Sequence, residues 1–188
     1  MEGSIKKSKF KNIAISGKYA TGTTTLAKNL AKSLGWKHIN MGDIQRQYDR
    51  ENNINENLQG AMARPDDHER EMEAMTKKIL NNDKYLIYEA WLSGFIAKDM
   101  PEVLKVLLVC SNEGVRIDRV VNRDRLSVEE AKKYIKQREE ENTKKWKALY
   151  GDHDFWDEKY FDVVIDTYSS GQMETLGRVL DELNKVDS

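Results

Sequence analysis

The segment Gly17-Lys18-Tyr19-Ala20-Thr21-Gly22-Thr23-Thr24-Thr25 carries the sharpest chemical signal in the chain. It has two glycines at a Gly-x4-Gly spacing and ends in three consecutive hydroxyl side chains. Between a strand and a helix, such a segment suits a polyphosphate. Successive main-chain N–H groups curl into a nest at a helix N-terminus and take phosphate oxygens without side chains. Gly17 and Gly22 supply the backbone angles and the close approach. The pattern departs from G-x-x-x-x-G-K-[ST] at one place: Thr23 stands where the lysine belongs. Thr24 keeps the hydroxyl that ligates Mg2+. The missing cation comes either from Lys18 in the same loop or from arginines elsewhere. An ordinary glycine turn into a threonine-capped helix is the competing reading. The strand before, the helix after and Thr24 in register favour phosphate binding.

Other residues can serve the same chemistry. Arg116 and Arg119 are three apart and Arg123 is four further on, so they share one helix face. They read as cations that close over phosphates, or as a solvated face paired with Asp118 and Glu113. Glu89 ends an apolar run, where a carboxylate is costly unless paired or bound to an ion. With Thr24 it can organise Mg2+, in part through water. Asp43 reads as a helix cap or as a ligand. Trp91 reads as a packing aromatic or as a stacking surface for a base or an apolar acceptor. His38 reads as structural. Tyr134, Trp146 and Tyr150 read as packing between two helices of the arginine-bearing segment.

These residues need elements to hold them. Asn12–Ser16 is a short apolar run, read as a buried strand. Helical spacing runs from Thr23 to Leu34, and Gly35 is the stop. A brief strand is predicted at Lys37–Asn40, then a helix from Asp43 to Glu51. The Asn-rich stretch 52–60 is a loop. Pro65 opens a helix to about Leu80, with Asp66, Asp67 and Glu69 at its positive end. Asn81-Asn82-Asp83 is a turn. Strands follow at Tyr85–Tyr88, ending at Glu89, and at Lys105–Cys110. Glu113–Tyr150 is helical with one break, at the Ser127-Val128-Glu129-Glu130 capping box. Phe161–Asp166 is a fifth strand and Gln172–Leu183 a closing helix. Alternating strands and helices imply an α/β fold, a parallel five-stranded sheet with helices on both faces. Ligands of such sheets bind beyond the carboxyl ends of the strands.

Bulk properties set outer limits. The 188 residues suit one domain. A formal net charge of −1 excludes a strongly basic chain that coats nucleic acid. One cysteine, Cys110, excludes an internal disulfide framework, and its place after Val109 reads as a buried structural thiol. The first ten residues read as a frayed start. They hold no apolar leader, and no run reaches membrane-spanning length, so a cytoplasmic protein without membrane or nucleic-acid partners is expected.

The chain resembles the archaeal-type (type 2) cytidylate kinases. The likeness begins in Gly22-Thr23-Thr24-Thr25-Leu26-Ala27, since that family also carries Thr in place of the loop lysine. It continues through Lys37–Arg46, Tyr88–Ala97, Val115–Arg119, Arg123-Asp124, Ser127–Ala131, Arg138–Glu140, Leu149–Gly151 and Tyr160–Thr167. The resemblance implies a P-loop NTPase fold of the nucleoside monophosphate kinase type, acting with ATP and Mg2+ on small nucleotide substrates, as a monomer or homodimer. It implies acceptor-binding helices at about 41–81 and a helical lid at about 112–158 within one domain. By position, Gly17 to Thr25 and Arg119 would bind the nucleotide, and Thr24 the metal. Arg46, with Asp43 and Trp91, would meet the acceptor. Arg116, Arg123 and Arg138, with Glu89, would be catalytic. Two departures stand out: Trp91 occupies an arginine position of the family's Glu-Gly-Arg-Leu-Ala-Gly, and Lys145 replaces an arginine before an aromatic. Three functions stay open: a CMP or dCMP kinase, a kinase of a different small metabolite on the same scaffold, or a nucleotide-binding protein without turnover.

Overall fold

A computed structural model describes residues 8–55 and 60–185. Five parallel strands form one sheet in the order β2-β3-β1-β4-β5. They are β1 (Asn12–Gly17), β2 (Lys37–Asn40), β3 (Leu86–Glu89), β4 (Val103–Val109) and β5 (Val163–Asp166). The helices are α1 (Thr23–Leu34), α2 (Met41–Glu51), α3 (Asp66–Asn82), α4 (Ser93–Ile96), α5 (Glu113–Asp124), α6 (Val128–Tyr150) and α7 (Gln172–Leu183). Single 3-10 turns lie at Ala61–Ala63 and Glu158–Tyr160.

The central strand explains the layering. In β1, Ile13 and Ile15 pack with Leu26, Ala27 and Leu30 of α1 and Val179 of α7. Ala14 points the other way, toward Tyr88, Leu80 and Met41. This period of two buries both faces of the strand. Ile15 pairs in register with Glu89 of β3, and Gly17 with Leu108 of β4. The carboxyl end of β1 therefore brings the loop start beside Glu89.

Local signals set most boundaries. Ser127 and Glu130 form a reciprocal capping box at the start of α6. Gly35 ends α1 in the left-handed conformation, its N–H donating to the Ala31 carbonyl. Several expectations shift. α2 starts two residues earlier than read, because the Asn40 side chain caps it by accepting from the Gly42 N–H at 2.8 Å; Asp43 lies inside the helix. Asn81 and Asn82 form the last residues of α3 instead of a turn. β3 starts at Leu86 because Tyr85 adopts φ 60°. Cys110 lies one residue beyond β4 and is half-buried, its Sγ 3.4 Å from the Asn112 carbonyl. Of the expected frayed start, residues 1–7 lie outside the described residues, while Phe10 is buried in the core. Of the expected loop 52–60, residues 56–59 lie outside them.

The two ends of α6 belong to different surroundings. Its first half packs through Ala131 and Ile135 on Ile117 and Val120 of α5. Its second half is fastened to the 41–82 helices. Asn142 accepts from the Ala61 N–H at 2.6 Å, Lys145 donates to the Arg64 carbonyl at 2.9 Å, and Trp146 Nε1 donates to Glu69 at 3.0 Å. Trp146 and Tyr150 thus pack toward α3 and Trp91, where packing between the two arginine-bearing helices was expected. Underneath lies a buried ion cluster. Arg64 grips Asp49 with two bonds, of 2.8 and 3.0 Å, and reaches Glu69 at 3.2 Å. All three side chains are buried. Removing one partner of such a cluster strands the other charges. Arg64→Leu is expected to destabilise the fold by about 3–5 kcal/mol, read by urea unfolding.

Candidate active site

The phosphate loop closes on itself through tight contacts. Gly17 has no room for a side chain: an added Cβ would sit 2.3 Å from Thr21 Oγ1 and 2.8 Å from the Leu108 carbonyl oxygen. Gly22, at φ 100°, caps α1 in a conformation that side chains rarely adopt. Thr21 is buried, and its hydroxyl donates to the Lys18 carbonyl at 2.9 Å. Its side chain therefore braces the loop and does not face the cleft.

Three successive loop carbonyls are tied down from outside. Arg116 Nε donates to the Tyr19 carbonyl at 2.9 Å, Arg119 donates to the Ala20 carbonyl at 3.0 Å, and the Thr167 hydroxyl donates to the Thr21 carbonyl at 2.8 Å. Arg119 also reaches the Thr167 hydroxyl and carbonyl, each at 3.0 Å. In a trans peptide the following N–H points opposite to the carbonyl. Fixing these oxygens toward α5 and β5 sends the next N–H groups away from them, into the loop. Ala20 sits at φ 61°, and its carbonyl bond to Arg119 helps hold that conformation.

The floor is a carboxylate. Glu89 is 6% exposed at the end of β3. Its Oε1 accepts from Thr24 Oγ1 at 2.5 Å and Thr23 Oγ1 at 2.9 Å, and its Oε2 lies 3.0 Å from His38 Nε2. His38, read from the sequence as structural, is thus a partner of the site carboxylate. A loop lysine is replaced by a hydroxyl that turns down onto Glu89.

A cleft of about 920 Å³ opens over this floor. Gly17, Lys18, Tyr19, Ala20, Gly22, Thr23, Thr24 and Thr25 line it, with Asp43, Arg46, Glu89, Trp91, Arg119, Arg123 and Arg138. Arg116 lies outside the cleft, with its guanidinium held by the Tyr19 carbonyl and Glu139. Lys18 rests its ammonium 5.0 Å from the Trp156 ring centre, a cation–π contact on the aromatic side of the cleft. Arg46 pairs with Asp43 one turn earlier on α2. A second cavity, about 90 Å³, adjoins the first and shares Gly42, Arg46, Ala90, Trp91 and Arg138 with it. Its wall includes Met72, Glu73, Asn142 and Tyr150. Trp91 faces this junction, with Trp146 and Trp156 at 5.7 and 6.2 Å between ring centres. Lys145 is buried beneath, on Asp66 and the Arg64 carbonyl.

The sequence reading passed over Asp49, Arg64 and Asn142, and read Glu69 only as an acid at the positive end of a helix. Their partners lie up to 81 residues away, so no local spacing announces them.

A family model described as the cytidylate kinase-like family matches residues 12–169. The chain belongs to the cytidylate kinase-like family. A protein named cytidylate kinase from Thermococcus sibiricus is 36% identical over 161 residues, covering 85% of this chain and 80% of that protein. Another so named, from Methanosarcina mazei, is 30% identical over 166 residues, covering 87% and 91%. Among solved structures, an uncharacterized protein from Eubacterium ventriosum superposes with TM-score 0.71 at 14% identity, covering 94% of this chain and 99% of that one. A gluconokinase from Sinorhizobium meliloti superposes with TM-score 0.62 at 15% identity, covering 94% and 93%. These two structures share the fold.

The crowding at Gly17 gives a direct test. Gly17→Ala is expected to abolish the rise in melting temperature that millimolar ATP with Mg2+ gives the parent, because the loop must open to admit the methyl group.

Proposed function

We propose that the chain transfers the terminal phosphoryl group of ATP, with Mg2+, to a nucleoside monophosphate, CMP or dCMP. The observation that carries this reading is the Thr24–Glu89 contact at the foot of a phosphate-sized cleft that joins a smaller second cavity. Membership of the cytidylate kinase-like family supports the choice of acceptor.

The donor set fits Mg2+. Thr24 gives its hydroxyl proton to Glu89, which leaves its lone pairs for a hard cation, and Glu89 offers carboxylate oxygens directly or through water. Among the described residues no cluster of three or more His, Cys, Asp or Glu forms a cage. That suits an ion that arrives on the nucleotide and keeps several waters. When bound, Mg2+ neutralises phosphate charge and orients the terminal group.

The remaining work belongs to the chain. The loop amides hold the polyphosphate. Arg116 and Arg119 keep the loop carbonyls turned out. Arg123 and Arg138 close on the transferring group and displace water, which limits wasteful hydrolysis. Arg46 draws in the acceptor phosphate, whose oxygen is already ionised near neutral pH, so the attack needs no strong general base. Glu89 next to the phosphates, with no loop lysine, makes binding depend on the cation: ATP without Mg2+ meets a buried carboxylate. The single cysteine and the nucleotide substrates accord with a cytoplasmic protein.

A second reading rests on Trp91. It faces both cavities and carries no charge where the resemblance implies an arginine, so a less anionic acceptor suits this wall.

A coupled ADP-release assay across CMP, dCMP, UMP, AMP and non-nucleotide alcohols decides. Turnover with CMP or dCMP is expected. Turnover only on a non-nucleotide acceptor supports the second reading. ATP binding with no turnover on any acceptor leaves a nucleotide-binding protein and ends the kinase reading. In the same assay Thr24→Ala is expected to lower kcat by about 100-fold or more, the usual scale for losing one preorganised electrostatic contact.

A further inference from the structure

Nothing in the chemistry of a phosphate loop requires a side chain at its third position, yet Tyr19 there is the most connected ring in the site. Arg123 lies with its guanidinium carbon 4.9 Å from the ring centre and Arg138 at 5.5 Å. Arg123 also donates to the phenol oxygen. The phenol approaches the Tyr134 hydroxyl at 3.4 Å, and the Tyr134 ring stands edge-on to Tyr19 at 5.2 Å. Tyr134 in turn accepts from Arg138 at 3.1 Å. The other side of Tyr19 meets Trp91 at 6.3 Å. One loop ring therefore touches α5, α6 and the junction between the two cavities.

We propose that Tyr19 is a positioning residue for phosphoryl transfer, holding the Arg123 and Arg138 guanidiniums over the phosphate loop and releasing them to the phosphates as the site fills. The inference rests on the phosphoryl-transfer reading above. Two long cationic side chains left free would sample many rotamers, and ordering them would be left to the moment of reaction. Arg123 is already paired with the Asp124 carboxylate by two bonds of 2.7 Å, and the ring adds to that hold; for Arg138 the cation–π contact is a resting place weaker than a charge-assisted bond to phosphate, so its transfer to the nucleotide runs downhill. The phenol must stay neutral for this, because a phenolate would trap Arg123 as an ion pair. Burial and the neighbouring Tyr134 hold its pKa well above the usual value. Neutral, it accepts from Arg123 while its own proton points to Tyr134.

The test compares full-length parent, Tyr19→Phe, Tyr19→Leu, Arg138→Ala and the Leu/Ala double variant, using the acceptor the parent turns over. Tyr19→Leu is expected to lower kcat roughly 10- to 100-fold while the KM for ATP moves by less than about threefold. Tyr19→Phe, which keeps the ring, should stay within about threefold of parent. The double variant should lose less than the product of the two single losses, since Arg138→Ala leaves the ring only Arg123 to hold. A second arm needs no turnover. Trypsin cleavage at the exposed hinge residue Arg125, without nucleotide, should quicken several-fold in Tyr19→Leu and not in Tyr19→Phe. Tyr19→Met replaces the Leu variant should that one not fold. A Leu variant within about twofold of parent in kcat, or losses that multiply in the double variant, overturns the proposal. A parent that turns over no acceptor removes the phosphoryl-transfer reading itself, and unchanged trypsin cleavage would then separately refute the grip of Tyr19 on α5 and α6.

Discussion

A carboxylate buried under a phosphate loop is an awkward thing to build, since it repels the ligand the loop is shaped to hold. Glu89 is made tolerable by three hydrogen-bond partners, two threonine hydroxyls and His38. Those partners exist only because β3 lies in register beside β1, with Glu89 level with Ile15, two residues before Gly17. Burial of a charge is costly unless such bonds satisfy it. The sheet register, the start of α1 and the end of β2 are therefore all fixed around one side chain. Replacing the loop lysine with Thr23 removes the cation that usually faces the phosphates and adds a second hydroxyl to this carboxylate. The chain then has to bring its positive charge from elsewhere.

That charge comes down from α5 and α6, in two tiers. Arg116 and Arg119 bind loop carbonyls and shape the main chain. Arg123 and Arg138 face the open cleft. The division follows from helix geometry: positions three and four apart climb one face of α5, so the first two meet the loop and the third overhangs it. α6 extends the same logic across the molecule. Its 23 residues span about 34 Å, enough to reach from the loop to the buried Asp49–Arg64–Glu69 cluster. The arm that carries Arg138 is thus anchored in the part of the fold that holds the second cavity.

Much of this was legible in the sequence where the signal is local. The strand-loop-helix of residues 12–34, the α6 capping box and the alternation of strands and helices each rest on neighbours within a few positions. Boundaries slipped where one residue overrode the pattern: Asn40 took the cap for which Asp43 was one candidate, and Tyr85 turned left-handed before β3. The α4 turn escaped notice because four residues carry no period. The site was half legible. Residue types on the loop and on α5 gave the cleft, but no spacing could say that Arg116 would face a carbonyl instead of the cleft. The buried charge cluster was no more legible, since Asp49 and Arg64 lie 15 residues apart on different elements, beyond any helical spacing. Trp91 was ambiguous by nature: an indole packs and stacks with the same surface, and only its position between two cavities distinguishes the uses.

The account stands on main-chain amides between Gly17 and Thr24 receiving a polyphosphate whose cation sits against Thr24 and Glu89. Amide NMR of the labelled chain during titration with a nonhydrolysable ATP analogue addresses it most directly. With Mg2+ present, the largest shifts should fall on the amides of Gly22, Thr23 and Thr24, and chelating the metal should return them most of the way. Shifts centred elsewhere, or equal in the presence of a chelator, would contradict it.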